Sequence, residues 1–390
     1  MLNEILRYSK TDSASFSTTQ HNLQTFLNPT AAKGISVIIP NFNGEKVLKF
    51  SLTSLANQTF PKEMYEIIVV DNASLDNSLK IVEEIRQIHK DCDIRIIRLK
   101  KNFGYGRAVN IGALHAKFNL ILASNNDIIF HFKYLENLYK VYSYARSING
   151  KIVAAQGLHM YFPEVLCIYN AGGLLSVLTG HYRFYGKCLT KDDFLKIIEW
   201  VQKERIAFSY IAFPNGAGAL IEKEAFLKAG GYYRLYFSGV EEIDLGLLLH
   251  LLGYRIVFAP SAILYHMESY TLGERSILVP HKLYMILTGL FVYMLSLYDP
   301  LWLLKSLIVY VLTILSILIL SITKRMKTLV WVIIKTMNLN IRMKKAILIR
   351  RSRIMKIKKA NLSEIFLYLK TADRYVKLSK LLASLFSRYL

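Results

Sequence analysis

Six residues stand where chemistry could be done: Asp71, Asp127, Glu241, Glu242, Asp244 and His266. Asp71 follows "YEIIVV" and Asp127 follows "LILASNN", so each carboxylate closes an apolar, strand-like run. A carboxylate in that place is costly to bury without a partner. A strand-to-helix turn is the structural account of Asp71, but Ser74 or Asp76 alone would cap the following helix. The base or ribose donors of a nucleotide would give Asp71 a partner. For Asp127 the alternatives are a helix cap and a hard cation. Mg2+ and Mn2+ prefer oxygen ligands, and Mg2+ commonly takes one or two carboxylates plus substrate phosphates, so one Asp suffices.

Glu241, Glu242 and Asp244 crowd a helix start. Helix N-termini favour acids, which accounts for one or two of them. Repulsion among three carboxylates raises the pKa of one and makes it a candidate general base. His266 by itself is an ordinary packed or surface histidine, and it gains interest only because it follows a strand beside the acidic positions. "NFGYGRAVNIG" (102–112) lacks the G-x-G-x-x-G spacing and the acidic partner of a dinucleotide fingerprint. It reads as a close-packed turn into a helix, with Arg107 available to a phosphate.

From Gly34 the chain alternates strand-like runs (35–40, 65–71, 94–99, 120–124) with helix-like segments (44–58, 74–89, 106–116). Continuous β-branched runs are expected where both faces of a strand are covered. This predicts an α/β fold with a Rossmann-like, mainly parallel mixed sheet flanked by helices. Ligands in such sheets collect at the carboxyl ends of the strands. The polar residues there are Pro40-Asn41, Asp71-Asn72, Asn102 and Asn125-Asn126-Asp127. A helix at 132–147, a strand at 152–157, a Gly-rich irregular region, a helix ended by Gly253, a strand at 255–259 and a loop carrying His266 complete the pattern. Trp200 and the Tyr232-Tyr233 pair are aromatic surfaces on which a sugar could stack, but each reads first as core or pocket lining.

The 390 residues carry a formal net charge of +22. Its location selects the partner: thirteen Lys or Arg lie between Lys324 and Lys359 without one Asp or Glu, directly after the most apolar region, Leu283 to Ile322. Basic residues beside apolar ones point to an anionic membrane surface rather than to nucleic acid, each contributing about 1 kcal/mol near such a surface. Leu283–Leu297 and Leu301–Ile322 are separated by Tyr298-Asp299-Pro300. A helical hairpin, with Arg275 and Lys282 at one end and Lys324, Arg325 and Lys327 at the other, satisfies the positive-inside rule with both ends cytoplasmic. A pair of helices lying in the interface, or packed on the catalytic domain, is the alternative. Cys92, Cys167 and Cys188 form no CxxC pair and suggest neither a disulfide framework nor zinc, so a reducing, cytoplasmic-facing catalytic part at the cell membrane is expected. Residues 1–33 read as a polar lead-in without a secretory signal, 34–275 as the catalytic domain and 276–390 as membrane-associated helices.

Taken together, "SVIIPNFNGEKVLKFSLTSLANQTF", "IIVVDNASLDNS", "KNFGYGRAVNIG", "LILASNND" and "EEIDLGLLLHLLGYRIVFAPSAILYH" resemble the inverting family 2 glycosyltransferases of the A-type fold, from about Gly34 to Tyr270. The likeness extends to rhamnosyltransferase-like members and to those acting on lipid-linked acceptors. The resemblance implies that Pro40 and Asn41 line the nucleotide pocket and that Asp71 binds the nucleoside. Asn72, Arg107, Asn126 and Glu241 would belong to the same nucleotide-sugar site. Asn125 and Asp127 fall on the metal-binding D-x-D, with Asp127 as ligand to Mg2+ or Mn2+. Glu242 falls on the catalytic base, and His266 on a histidine that joins the metal shell in some members. Three positions depart from the family pattern: Asn125 for the first Asp, Glu242 where Asp is more frequent, and Leu248 where many relatives have Arg. The Q-x-x-R-W motif of processive synthases is absent, which implies transfer of one sugar to a glycan or lipid-linked acceptor. Two other readings stay open, a polyprenyl-phosphate sugar transferase and a degenerate sugar-nucleotide-binding or scaffold subunit.

Overall fold

The computed structural model describes residues 34–163, 167–172, 174–175, 182–183, 187–188, 208–237, 239–267, 280–323 and 327–372. The lead-in 1–33, Trp200, Arg275, Lys324 and Arg325 lie outside them.

The strands expected from continuous β-branched runs form β1 (Ile35–Asn41), β2 (Tyr65–Asp71), β3 (Ile94–Arg98) and β4 (Leu120–Ala123). They pair in parallel in the order β3-β2-β1-β4. Helices α1 (Leu48–Ala56), α2 (Ser78–Ile88) and α3 (Tyr105–His115) connect them. The pleat sends Ile35, Val37 and Ile39 to one core with Leu48, Leu52 and Leu55 of α1 and Val82 and Ile85 of α2. Ile38, Ile68 and Val70 point the other way, onto Ala108, Val109 and Ala113 of α3. β1 and β2 are therefore buried along their whole length, whereas the edge strand β3 is only partly buried.

Beyond β4 come a short β5 (Ile128–Phe130), α4 (Tyr134–Ile148), β6 (Ile152–Tyr161), β7 (Cys167–Asn170), β8 (Lys187–Cys188), β9 (Ser209–Tyr210) and β10 (Ala219–Glu222). α5 (Lys223–Ala229), α6 (Glu241–Leu251) and β11 (Arg255–His266) follow. β10 runs antiparallel between β4 and β6, making the sheet mixed. β11 is longer than its sequence suggested: it runs parallel to β6 through a bulge between Ala259 and Ile263, and its end pairs with β5. His266 is accordingly the last residue of a strand, not part of a loop. The cysteine expectation also needs correction, because Cys167 is disulfide-bonded and the β7–β8 register sets Cys188 opposite it. Sequence spacing did not reveal that Cys167 is in a disulfide, and the argument from cysteines for a reducing compartment is removed.

Four helices follow: α7 (Pro280–Leu297), α8 (Pro300–Thr323), α9 (Lys327–Ile357) and α10 (Leu362–Ala372). The first apolar run is not one arm of a membrane hairpin. Leu290, Tyr293, Met294 and Leu297 of α7 are buried in one core with Val240, Ile243, Leu247 and Leu251 of α6 and Ile347 and Ile354 of α9. Its apolar surface is thus covered by protein. At Gly289 the helices come so close that any Cβ would overlap the Val240 side chain. Gly289→Leu is expected to destabilise the protein by about 1–3 kcal/mol, the usual cost of overpacking, measurable as a lowered Tm; an unchanged Tm would contradict this contact.

α8 is different. Its 24 residues are long and apolar enough to cross a bilayer, and Leu301, Leu304, Ile308, Val311, Leu315, Ile319 and Ile322 are exposed along it. Trp331, Ile334, Ile341 and Leu348 make a second exposed stripe on the neighbouring α9.

Candidate active site

The ends of β1 and β2 are in register, Asn41 opposite Asp71. Asn41 donates from Nδ2 to Asp71 Oδ1 at 3.4 Å and to Ser74 Oγ at 3.1 Å. The Ser74 amide donates to Asp71 Oδ2 at 3.2 Å. The buried Asp71 carboxylate therefore already has protein partners, which its sequence context did not reveal. Asn126 donates to Asn41 Oδ1 at 2.8 Å and so joins the same cluster. Asn72 is tied down at both ends, its amide on the Asn41 carbonyl at 2.7 Å and its Oδ1 accepting from the Phe103 amide at 3.3 Å. Pro40 lies one residue back on β1, opposite Val70. A Cβ on Gly44 would overlap both Asn41 Oδ1 and Asn126 Nδ2, so any larger residue there would displace these two side-chain ends. Neither Gly44 nor the backbone role of Ser74 was apparent from sequence, because both depend on the two strand ends meeting.

The β5–β11 ladder places His266 opposite Ile128, next to Asp127. His266 Nε2 lies 3.2 Å from Asp127 Oδ1 and 3.5 Å from Asn125 Nδ2. Asp127 and His266 are both buried, and Asp127 Oδ1 and His266 Nδ1 make no hydrogen bond. Apart from the 3.2 Å approach of His266 Nε2, this buried carboxylate oxygen has no donor among the described residues, and a bound cation would offset its desolvation. One carboxylate oxygen and one imidazole nitrogen fit a divalent cation such as Mn2+, with waters and phosphate oxygens filling the other positions. Among the described residues no third His, Cys, Asp or Glu completes a cluster. Tyr169 and His159 back this pair: the Tyr169 ring meets His266 edge-on at 4.8 Å and stacks near-parallel to His159 at 6.4 Å.

The three carboxylates of the first turn of α6 meet different fates. Glu241 is buried and accepts from the Val240 amide at 3.0 Å. Asp244 is buried against Arg350 of α9 and accepts from the Tyr236 hydroxyl at 2.5 Å. No cation among the described residues pairs with Glu242, which is only partly buried by contact surface. Loss of hydration first, and the neighbouring Glu241 second, push its carboxyl up to about 8. Glu241 is also raised, by burial. The field of both reaches Tyr105 and Tyr232, whose hydroxyls burial already holds well above their usual range. Tyr105 donates to the Gly216 carbonyl at 2.6 Å, and nearby Gly218 packs toward Leu264 and His159. The turn from Asn215 to Gly218 thus lies between the α6 acids and the His266 side of the site.

The Arg107 guanidinium donates to the Arg234 carbonyl at 3.2 and 3.0 Å, so it anchors a loop instead of standing free for a phosphate. Tyr232 takes the core reading and not that of a sugar platform, being buried between the rings of Tyr105 and Phe226. Tyr233 carries the Arg350 guanidinium on its face, 4.0 Å from the ring centroid. Leu248, one turn beyond Asp244, is buried in the core, and the cation that a helical partner could have supplied there comes from α9.

Residues 36–157 match the model of glycosyl transferase family 2. This segment is a family 2 glycosyltransferase domain. It contains β1 to β4, the Asn41–Asp71–Asn126 cluster and Asp127. Poly(ribitol-phosphate) β-N-acetylglucosaminyltransferase TarS of Staphylococcus aureus is 37% identical over 93 residues, 24% of this chain and 16% of that protein. Poly-β-1,6-N-acetyl-D-glucosamine synthase of Staphylococcus epidermidis is 25% identical over 245 residues, 62% of this chain and 52% of that protein. The chain thus matches well under two thirds of either relative. Among solved structures, GalNAc-T7 with UDP, GalNAc and Mn2+ superposes with a TM-score of 0.51 at 17% identity, covering 70% of this chain and 49% of that one. The family 2 domain therefore shares its fold with a structure crystallised with a nucleotide and a divalent cation.

Proposed function

We propose that the protein transfers a single sugar, with inversion, from a nucleotide-sugar donor to an acceptor hydroxyl of a membrane-associated glycan. The observation that carries this reading is Glu242 at the start of α6: its neighbour Glu241 accepts from the Val240 amide and Asp244 pairs with Arg350, while no cation among the described residues offsets the raised proton affinity of Glu242. As the acceptor oxygen bonds to the anomeric carbon, Glu242 takes the acceptor's proton. The bond from the anomeric carbon to the phosphate oxygen breaks, and its electron pair leaves with the diphosphate. The carboxylate ends protonated and returns the proton to solvent. Asn41, Asp71, Asn72 and Asn126 hold the nucleoside end of the donor, with Pro40 and Glu241 lining the site. Asp127 and His266 would hold Mg2+ or Mn2+, which when bound neutralises phosphate charge.

TarS and the S. epidermidis synthase carry N-acetylglucosamine in their names, and GalNAc-T7 was crystallised with UDP. These support a UDP-sugar as donor. Incubating the full chain with UDP-N-acetylglucosamine and Mn2+ is expected to release UDP; the absence of release from this and other nucleotide sugars would overturn the reading in favour of a scaffold subunit.

The acceptor side is read from α8 and α9. α9 carries Lys335, Arg342, Lys344 and Lys345 among its exposed apolar residues, too many charges to span a bilayer, and it packs along α8. The two stripes therefore suit an interface-parallel placement on an anionic leaflet, with 34–275 as the catalytic domain above it and 276–390 as the docking region. A cytoplasmic placement of the catalytic side is supported by the basic residues of α9, which suit an anionic leaflet. The full chain is expected to co-sediment with phosphatidylglycerol vesicles and much less with phosphatidylcholine. Ile308→Glu combined with Leu315→Glu should lower the bound fraction about tenfold, given the burial lost and the charge added; unchanged binding would rule out this surface.

A further inference from the structure

Asp244 lies two residues beyond Glu242 in the first turn of α6 and is 1% exposed. Arg350 of α9 donates to it through both branches of the guanidinium, at 2.6 Å to Oδ2 and in a second contact to Oδ1. Tyr236 donates to the same Oδ2, and Tyr233 holds the guanidinium from its open face. The other end of α6 is held by the same stretch of chain. The Leu251 carbonyl accepts from the amides of Lys359 and Ala360 at 2.7 and 3.1 Å. Residues 350–360 therefore clamp both ends of the helix that presents Glu242.

A buried ion pair is weak evidence for net stability, since desolvation offsets most of the attraction. What a two-pronged guanidinium–carboxylate contact adds is direction, because the planar fork fits one orientation of its partner. A helical first turn held at Asp244 cannot rotate about its axis without breaking that fork. Glu242 projects from the same turn, and a misplacement of the base by a fraction of an ångström is costly to a proton transfer.

We propose that Arg350 is a positioning residue for the transfer reaction: through Asp244 it fixes the rotation of the α6 first turn and so aims the Glu242 carboxylate. The inference rests on the reading of Glu242 as the base. It makes the C-terminal helices part of the catalytic apparatus, beyond any role in docking.

The test uses the full chain with UDP-N-acetylglucosamine and Mn2+, reading UDP release for turnover and calorimetric UDP binding for the donor site. Arg350→Met is expected to lower kcat about tenfold to 100-fold, as for a displaced catalytic group, with UDP Kd changed less than about threefold. Arg350→Lys keeps the charge without the fork and should recover only part of kcat. A merely structural role would instead lower folded fraction, kcat and UDP binding together. Arg350→Met with kcat within about twofold of wild type, or with kcat and UDP affinity falling in proportion, would overturn the proposal. Should Arg350→Met not fold, Arg350→Lys decides: reduced kcat with intact UDP binding supports the proposal, and unchanged kcat overturns it. Glu242→Gln is run beside them. If it retains turnover, the base assignment fails; if it loses turnover while the Arg350 variants do not, only the positioning role fails.

Discussion

Replacing Glu242 by Gln should lower sugar transfer about 10²–10⁴-fold, the span expected when a general base is removed. UDP binding should change less than about threefold, because the nucleoside cluster lies on β1, β2 and the residues after β4 and not on α6. Gln keeps the size and hydrogen-bonding capacity of the side chain but cannot take a proton, so the comparison isolates the proton transfer. The same assignment fixes the sign of a pH effect. Only deprotonated Glu242 is a base, and burial together with Glu241 raises its carboxyl to about 8. Turnover should therefore rise with pH through that region, not level off above the ordinary carboxylate range. Glu241, Tyr105 and Tyr232 face this group, and none of them adds a positive charge that would lower it. A polyprenyl-phosphate acceptor needs no strong base, so near-normal turnover in Glu242→Gln, with a flat profile over that range, would favour that acceptor class.

Asp127→Asn should be comparably severe, for a different reason. It leaves the volume of the side chain nearly unchanged but removes the charge from the buried carboxylate oxygen that faces His266 Nε2 at 3.2 Å and has no other donor among the described residues. Removing one group that stabilises leaving-group charge costs about 10²–10³ in turnover. The variant should also lose the strengthening of UDP binding by Mn2+, measured by calorimetry with and without the cation. Mn2+-dependent UDP binding equal to wild type would remove Asp127 from the cation site. Asn125 bears on the same measurement: its amide faces His266 at 3.5 Å, where it can orient the imidazole but adds no charge to a cation site.

The parts of this molecule that could be read from sequence are those with local causes. β1, β2 and β4 announced themselves because strands covered on both faces are apolar along most of their length, with Ser36 and Glu66 the interior exceptions. The strand-end polar residues were equally visible, since a carboxylate or amide breaks such a run. What could not be read were contacts made by distant pairing. Asn125 and His266 are 141 residues apart and meet through the β5–β11 ladder. Asp244 and Arg350 are 106 residues apart and meet through the packing of α9 on α6. The acids of α6 could be named from sequence, but which of them stays unpaired depends on that second contact. Arg107 offers a related case: a basic residue near a loop gives the same sequence signal whether it faces a ligand or holds a neighbouring turn, as it does here on the Arg234 carbonyl. The two apolar C-terminal runs looked alike in composition, yet the bulk of α7 is in the core, with Gly289 close against Val240, and α8 is at the surface.

The most direct measurement follows the anomeric proton of the sugar by NMR while the full chain, with Mn2+, consumes a panel of α-linked UDP-sugars including UDP-N-acetylglucosamine. The account predicts that UDP accumulates and that the first sugar product carries the β configuration. A first product with retained α configuration, or no consumption of any donor in the panel, would contradict it.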